Sequence, residues 1–163
     1  MPKEMKVKIA CVGKLKDSFN RDAVAEYAKR LSRFCAFEIQ EVADEKAPEA
    51  LSPAEEAQVL DREGERLLSR IQPGEYVICL AIEGTRLRSE SFAELLQEAF
   101  EKRSSCVTFV IGGSLGLSPR VLERADYRLS LSDMTLPHGL CRAVLAEQIY
   151  RAFKINAHEP YHK

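Results

Sequence analysis

Residues 76–82, Tyr-Val-Ile-Cys-Leu-Ala-Ile, form an unbroken apolar run, and residues 106–111, Cys-Val-Thr-Phe-Val-Ile, form a second, broken only by Thr108, that runs into glycine. Runs this short suit strands, and a strand apolar at successive positions is one covered on both faces, as in a parallel sheet. Parallel strands need crossover connections long enough to hold a helix, which restricts the fold more than any other feature of the chain.

The rest of the sequence supplies those crossovers. Residues 5–12 alternate apolar and lysine side chains up to Gly13 and read as a strand, and 36–42 read as a weaker one. Between them, Ala23, Val24, Tyr27, Ala28 and Leu31 fall at helical spacing within 20–33. After a polar connection at 43–51, Ser52 and Glu55 form a capping box around Pro53, opening a helix with Val59, Leu60, Leu67, Leu68 and Ile71 inward. Ser91 and Glu94 suggest another capping box before the amphipathic set Phe92, Leu95, Leu96, Ala99 and Phe100. A short helix is expected at 118–125, a last strand at 127–132, a helix at 139–153 and a tail at 155–163. This alternation predicts an α/β fold, a mostly parallel sheet with helices on both faces, built as one domain over residues 1–163. Ligands of such sheets sit beyond the carboxyl ends of the strands. That selects the loops 83–88, 112–118 and 133–138.

Composition narrows the function. No apolar stretch is long enough to span a bilayer and no signal-peptide pattern opens the chain, so a cytoplasmic protein is expected. Cys11, Cys35, Cys79, Cys106 and Cys141 are scattered singly and read as small hydrophobes, with no metal site expected. A net charge of −1 argues against gripping naked nucleic acid by bulk electrostatics. Beyond Ser118 the basic residues Arg120, Arg124, Arg128, Arg142, Arg151, Lys154 and Lys163 outnumber the acids Glu123, Asp126, Asp133, Glu147 and Glu159. His138, His158 and His162 lie there too, which points the search for chemistry to the C-terminal third.

The loop Gly112-Gly113-Ser114-Leu115-Gly116 admits several readings. It satisfies the G-x-S-x-G of a nucleophile elbow, with Asp133 and His138 in the chain order of α/β-hydrolases, yet Ser118-Pro119 looks like a fresh helix start and no oxyanion motif lies upstream. A dinucleotide site would want a glycine where Ile111 stands, although Asp133 lies where a ribose-binding acid belongs. A third reading is a nucleoside cofactor without a pyrophosphate, edged by main-chain groups and walled by Leu80, Leu131, Met134 and Leu136. The plain alternative is a tight turn.

Several segments then acquire a joint meaning: Phe109-Val110-Ile111-Gly112-Gly113-Ser114-Leu115-Gly116-Leu117, Leu129-Ser130-Leu131-Ser132, Met134-Thr135-Leu136-Pro137-His138, Glu147-Gln148-Ile149-Tyr150-Arg151-Ala152-Phe153 and Tyr161-His162-Lys163. With Val12-Gly13-Lys14-Leu15-Lys16 and Asp44-Glu45-Lys46 they resemble, in this order, the ribosomal RNA large subunit methyltransferase H family over nearly the whole chain. The resemblance implies a SPOUT-type fold with a C-terminal trefoil knot, which topology rules alone would disfavour. It also implies a homodimer and S-adenosylmethionine (SAM) held by Leu80, Gly112, Leu131, Ser132, Asp133, Met134, Thr135 and Leu136. The reaction implied is N3 methylation of a pseudouridine of large-subunit ribosomal RNA in the assembled ribosome. Such a substrate lets a weakly charged enzyme rely on shape and local contacts. The chain departs from the family in a short extra start at 1–4 and in Asn156-Ala157-His158, where members often carry glycine.

Methyl transfer to a ring nitrogen requires no protein nucleophile, only near-attack positioning and stabilisation of charge on the base carbonyls. The start of the last helix offers free amides, with His138 there to orient the base, take its proton or merely cap the helix, and Arg142 one turn on expected to reach the same side. Tyr161 and His162 are a second catalytic pair if the tail lies over the cofactor pocket rather than ending freely. A catalytically silent module that senses a nucleoside or docks on the ribosome is the alternative function.

Overall fold

The structure, a computed structural model, describes residues 4–46 and 49–163. Most of the extra start and part of the 43–51 connection lie outside the described residues. The order of elements is β1 (Lys6–Val12), α1 (Ser18–Leu31), β2 (Ala36–Val42), α2 (Pro53–Leu68), β3 (Tyr76–Arg86), α3 (Ser89–Lys102), β4 (Cys106–Ile111), α4 (Pro119–Arg124), β5 (Tyr127–Ser130) and α5 (His138–Asn156). Every strand pairing is parallel and the sheet runs β2-β1-β4-β3-β5. The two apolar runs, 76–82 and 106–111, therefore lie in interior strands, as their composition requires.

Helices cover both faces. Val7, Ile9, Cys11, Ile78 and Phe109 pack beneath Leu31 of α1, Phe92 and Leu96 of α3 and Leu145 and Ile149 of α5. Ala10, Val12, Val77, Cys79 and Val110 meet Leu67 of α2 and Val121 of α4 on the other face. Helix α5 lies between α1 and α3 and buries residues around most of its circumference, which is why its sequence shows little amphipathic contrast. Lys8 is buried on the second face, where it pairs with Glu75 at 2.7 Å, and the Thr108 hydroxyl donates to the same carboxylate at 2.7 Å. This cluster ties together the amino ends of β1, β3 and β4, opposite the carboxyl edge.

The capping box of Ser52 and Glu55 forms as the sequence predicts. The one expected at Ser91 and Glu94 does not: α3 begins at Ser89 after Arg88, which gives no side-chain cap. β3 runs on to Arg86, so residues 83–86 of the expected 83–88 loop are strand, and β5 ends at Ser130, two residues early. At the end of α5 the glycine departure becomes intelligible. His158 takes φ 56, its amide donates to Ile155 O at 3.1 Å, and the Glu159 amide donates to Lys154 O at 3.0 Å. That is a Schellman ending with a histidine in the left-handed position that glycine favours.

Candidate functional site

Three segments meet at the carboxyl edge of the sheet and enclose a slot of about 370 Å³: residues 80–83 at the end of β3, the loop 111–117 after β4, and residues 129–138 between β5 and α5. Its volume is that of a small-molecule site. Leu80, Ile111, Leu117, Leu122, Leu129 and Leu131 give it apolar walls.

Local hydrogen bonding shapes each rim. The glycine loop closes on itself, with the Gly116 amide donating to Gly113 O at 3.1 Å. A side chain at Gly112 would start 2.3 Å from Gly116 O, so only glycine permits this turn. In the last segment, the Ser132 hydroxyl accepts the Met134 amide at 3.0 Å and the Ser130 hydroxyl donates to Ser132 O at 3.1 Å. Such side-chain bonds hold a loop open without a ladder. Beneath the glycine loop, the buried Glu63 carboxylate packs against Gly113 and accepts the Glu45 amide at 3.0 Å. Burial pushes Glu63 above the usual carboxylate range.

Of the residues expected to hold the cofactor, Leu80, Gly112, Leu131, Ser132, Met134, Thr135 and Leu136 all line the slot. Asp133 does not. It turns outward to an ion pair with Arg86 on the exposed surface. His138 lines the slot at the first turn of α5, where Cys141 is the first residue whose amide finds an intrahelical carbonyl, that of Pro137 at 2.8 Å. The amides of residues 138–140 are thus the free donors of the helix start.

Arg142 is placed otherwise than expected. Its guanidinium is buried on the opposite side of α5's first turn, donating to Val12 O at 2.9 Å, Gly13 O at 2.8 Å and Glu41 at 2.7 Å. It pins α5 to the ends of β1 and β2 rather than facing the slot. The tail, too, lies elsewhere than over the slot of its own chain. Within this chain it folds over the outer side of α5, where the Tyr161 hydroxyl donates to Glu147 at 3.1 Å and its ring meets Tyr150 edge-on at 5.0 Å. His162 Nδ1 lies 3.0 Å from Arg151 and Nε2 lies 2.6 Å from Glu90. Burial, with the Glu147 carboxylate, pushes the Tyr161 phenol up to about 12. Neither residue lines the slot.

Sequence reasoning missed Cys141 as a lining residue, although it stands one turn after His138 and helical spacing alone would have found it. Burial pushes its thiol up to about 11, which keeps it from acting as a thiolate near neutral pH. Ser114 lines the slot too, but it makes no hydrogen bond to His138 among the described residues, and Asp133 is turned away. The Ser118 hydroxyl caps α4, so the helix does not follow the serine directly. The hydrolase arrangement is not assembled, and a dinucleotide site loses its acid by the same turn of Asp133.

Comparison with known proteins agrees with this geometry. Residues 5–162 match the family described as "Predicted SPOUT methyltransferase". The chain is 58% identical over 159 residues to ribosomal RNA large subunit methyltransferase H of Ligilactobacillus salivarius (strain UCC118), covering 98% of this chain and 100% of that protein. It is 55% identical to the protein of the same name from Bifidobacterium animalis subsp. lactis (strain AD011), with the same coverage. A probable methylase family protein from Haemophilus influenzae Rd KW20 shares the fold at a TM-score of 0.51 and 13% identity, covering 100% of this chain and 72% of that one. A slot at the carboxyl edge of a parallel sheet, without a protein nucleophile, is what methyl transfer asks for, and by full-length similarity the chain belongs to the SPOUT methyltransferase family, among the ribosomal RNA large subunit methyltransferase H proteins.

Proposed function

We propose that this protein methylates N3 of a pseudouridine in large-subunit ribosomal RNA, using SAM, and that it does so on the assembled ribosome as a homodimer of single-domain chains. The observation that carries the reading is the slot itself: apolar walls for the faces of an adenine, and main-chain groups of the glycine loop and of residues 131–136 at its edge. SAM bound there supplies a methyl group on a sulfonium, ready for displacement by nitrogen. The proposal includes the C-terminal trefoil knot that the resemblance implies.

The chain's own residues do the rest. The walls exclude water and fix the donor. The free amides of residues 138–140, at the positive end of α5, stabilise the charge that develops on the uracil carbonyls as N3 loses its proton. His138 orients the base and takes that proton. Arg142 holds this helix start in place from behind. Around the slot, Ile82, Leu115, Met134 and Leu140 are exposed apolar side chains, Met134 at 78%, and a second copy or the RNA covers them.

Calorimetry with SAM, followed by transfer of labelled methyl groups to undermethylated ribosomes, tests the proposal. Binding with transfer is expected. Binding without transfer supports the silent nucleoside-sensing or docking module, and absence of binding removes both.

A further inference from the structure

We propose that Glu83 makes the slot selective for charge, favouring a cationic sulfonium over the neutral thioether left after transfer. This rests on the reading that the slot holds SAM.

The placement of Glu83 is built, not incidental. Leu129 of β5 pairs first with Leu80 and again with Thr85, so residues 81–84 leave the ladder as a bulge held at both ends on one partner. Gly84 seals it: a side chain there would start 2.8 Å from the backbone of Arg128 and Leu129, so the bulge lies directly on β5. Bulges beside sites re-aim side chains, and this one turns Ala81, Ile82 and Glu83 to the slot. Among the described residues, Glu83 contributes the sole carboxylate of the lining. It forms no hydrogen bond or ion pair among the described residues, whereas the arginines that follow it are engaged elsewhere, Arg86 with Asp133 and Arg88 with Glu90. The rim of the slot therefore carries one uncompensated negative charge.

Methyl transfer breaks the carbon–sulfur bond and leaves its electron pair on sulfur, while N3 gains the carbon and gives up its proton. The ligand thereby loses one positive charge. A carboxylate on the rim attracts the reactant and is indifferent to the product at that atom, which loosens the product relative to fresh cofactor. For unit charges about 4 Å apart in water the attraction is about 1 kcal/mol, or about fivefold in affinity.

Calorimetry on the full chain and on Glu83→Gln decides it, with SAM, S-adenosylhomocysteine and sinefungin, a SAM analogue with a cationic amine in place of the sulfonium. Glu83→Gln is expected to weaken SAM and sinefungin about fivefold, leave S-adenosylhomocysteine unchanged, and show a smaller effect in high salt. Glu83→Lys is expected to weaken the two cations further. Equal changes for all three ligands, or no change for any, overturn the inference. Failure of the wild-type chain to bind SAM overturns the cofactor reading, and the inference with it.

Discussion

Arg142 shows how one side chain can look functional in sequence and be architectural in space. An arginine one turn into a helix beside a histidine reads as an anion-binding group. Its side chain is 3% exposed and satisfies Val12 O and Gly13 O. Both carbonyls lie at the end of β1, and an unsatisfied buried polar group costs about 1–3 kcal/mol. Arg142→Met should therefore lower the free energy of unfolding in urea by about 3 kcal/mol, and a loss below about 1 kcal/mol would contradict the pin. Glu75 gives the pH counterpart. Burial alone would raise it, but the Lys8 ammonium and the Thr108 hydroxyl outweigh burial and hold it below its ordinary value. A depressed folded pKa contributes stability that is present above the unfolded value, here 4.5, and is lost as pH falls through the folded value. The stability gap between wild type and Glu75→Gln should be wide at neutral pH and close in acid, and a gap independent of pH would refute the pairing.

At the scale of elements, what was legible depended on whether the signal was local. The interior strands and the Ser52 cap follow from runs of a few residues and their immediate neighbours, and they stand where expected. The bulge in β3 is set by Leu129, which pairs twice from another strand, and within residues 80–85 only Gly84 hints at it. Ser91 and Glu94 have the spacing of a cap, yet packing of Phe92 and Leu96 starts the helix a turn fragment earlier. The left-handed residue at the end of α5 was half legible: the missing glycine was visible, the strain was not. Replacing His158 with glycine relieves a left-handed conformation that costs other residues about 1–2 kcal/mol, partly offset by glycine's greater freedom when unfolded. His158→Gly should raise the unfolding free energy by up to about 1 kcal/mol, and a decrease would show that the histidine is held there by something more than the turn.

For the whole molecule, the convergence at the carboxyl edge was legible in the sequence and the path of the tail was not. Parallel strands force the slot to one edge, so seven of the expected cofactor residues converge there. The tail's path depends on partners far away in sequence, Glu90 and Glu147 among them, that no motif reveals. Tyr161 and His162 stand apart from the slot in their own chain, and we propose that they act on the substrate side. Deleting residues 161–163 should abolish methyl transfer while leaving SAM affinity unchanged, whereas weakened SAM binding would place the tail at the cofactor. The most direct test of the whole account is mass mapping of ribosomal RNA from cells with and without this protein. A single methylated pseudouridine in large-subunit RNA should be present in the first and lost in the second, with purified protein and SAM restoring it on isolated ribosomes. An identical methylation map in both would contradict it.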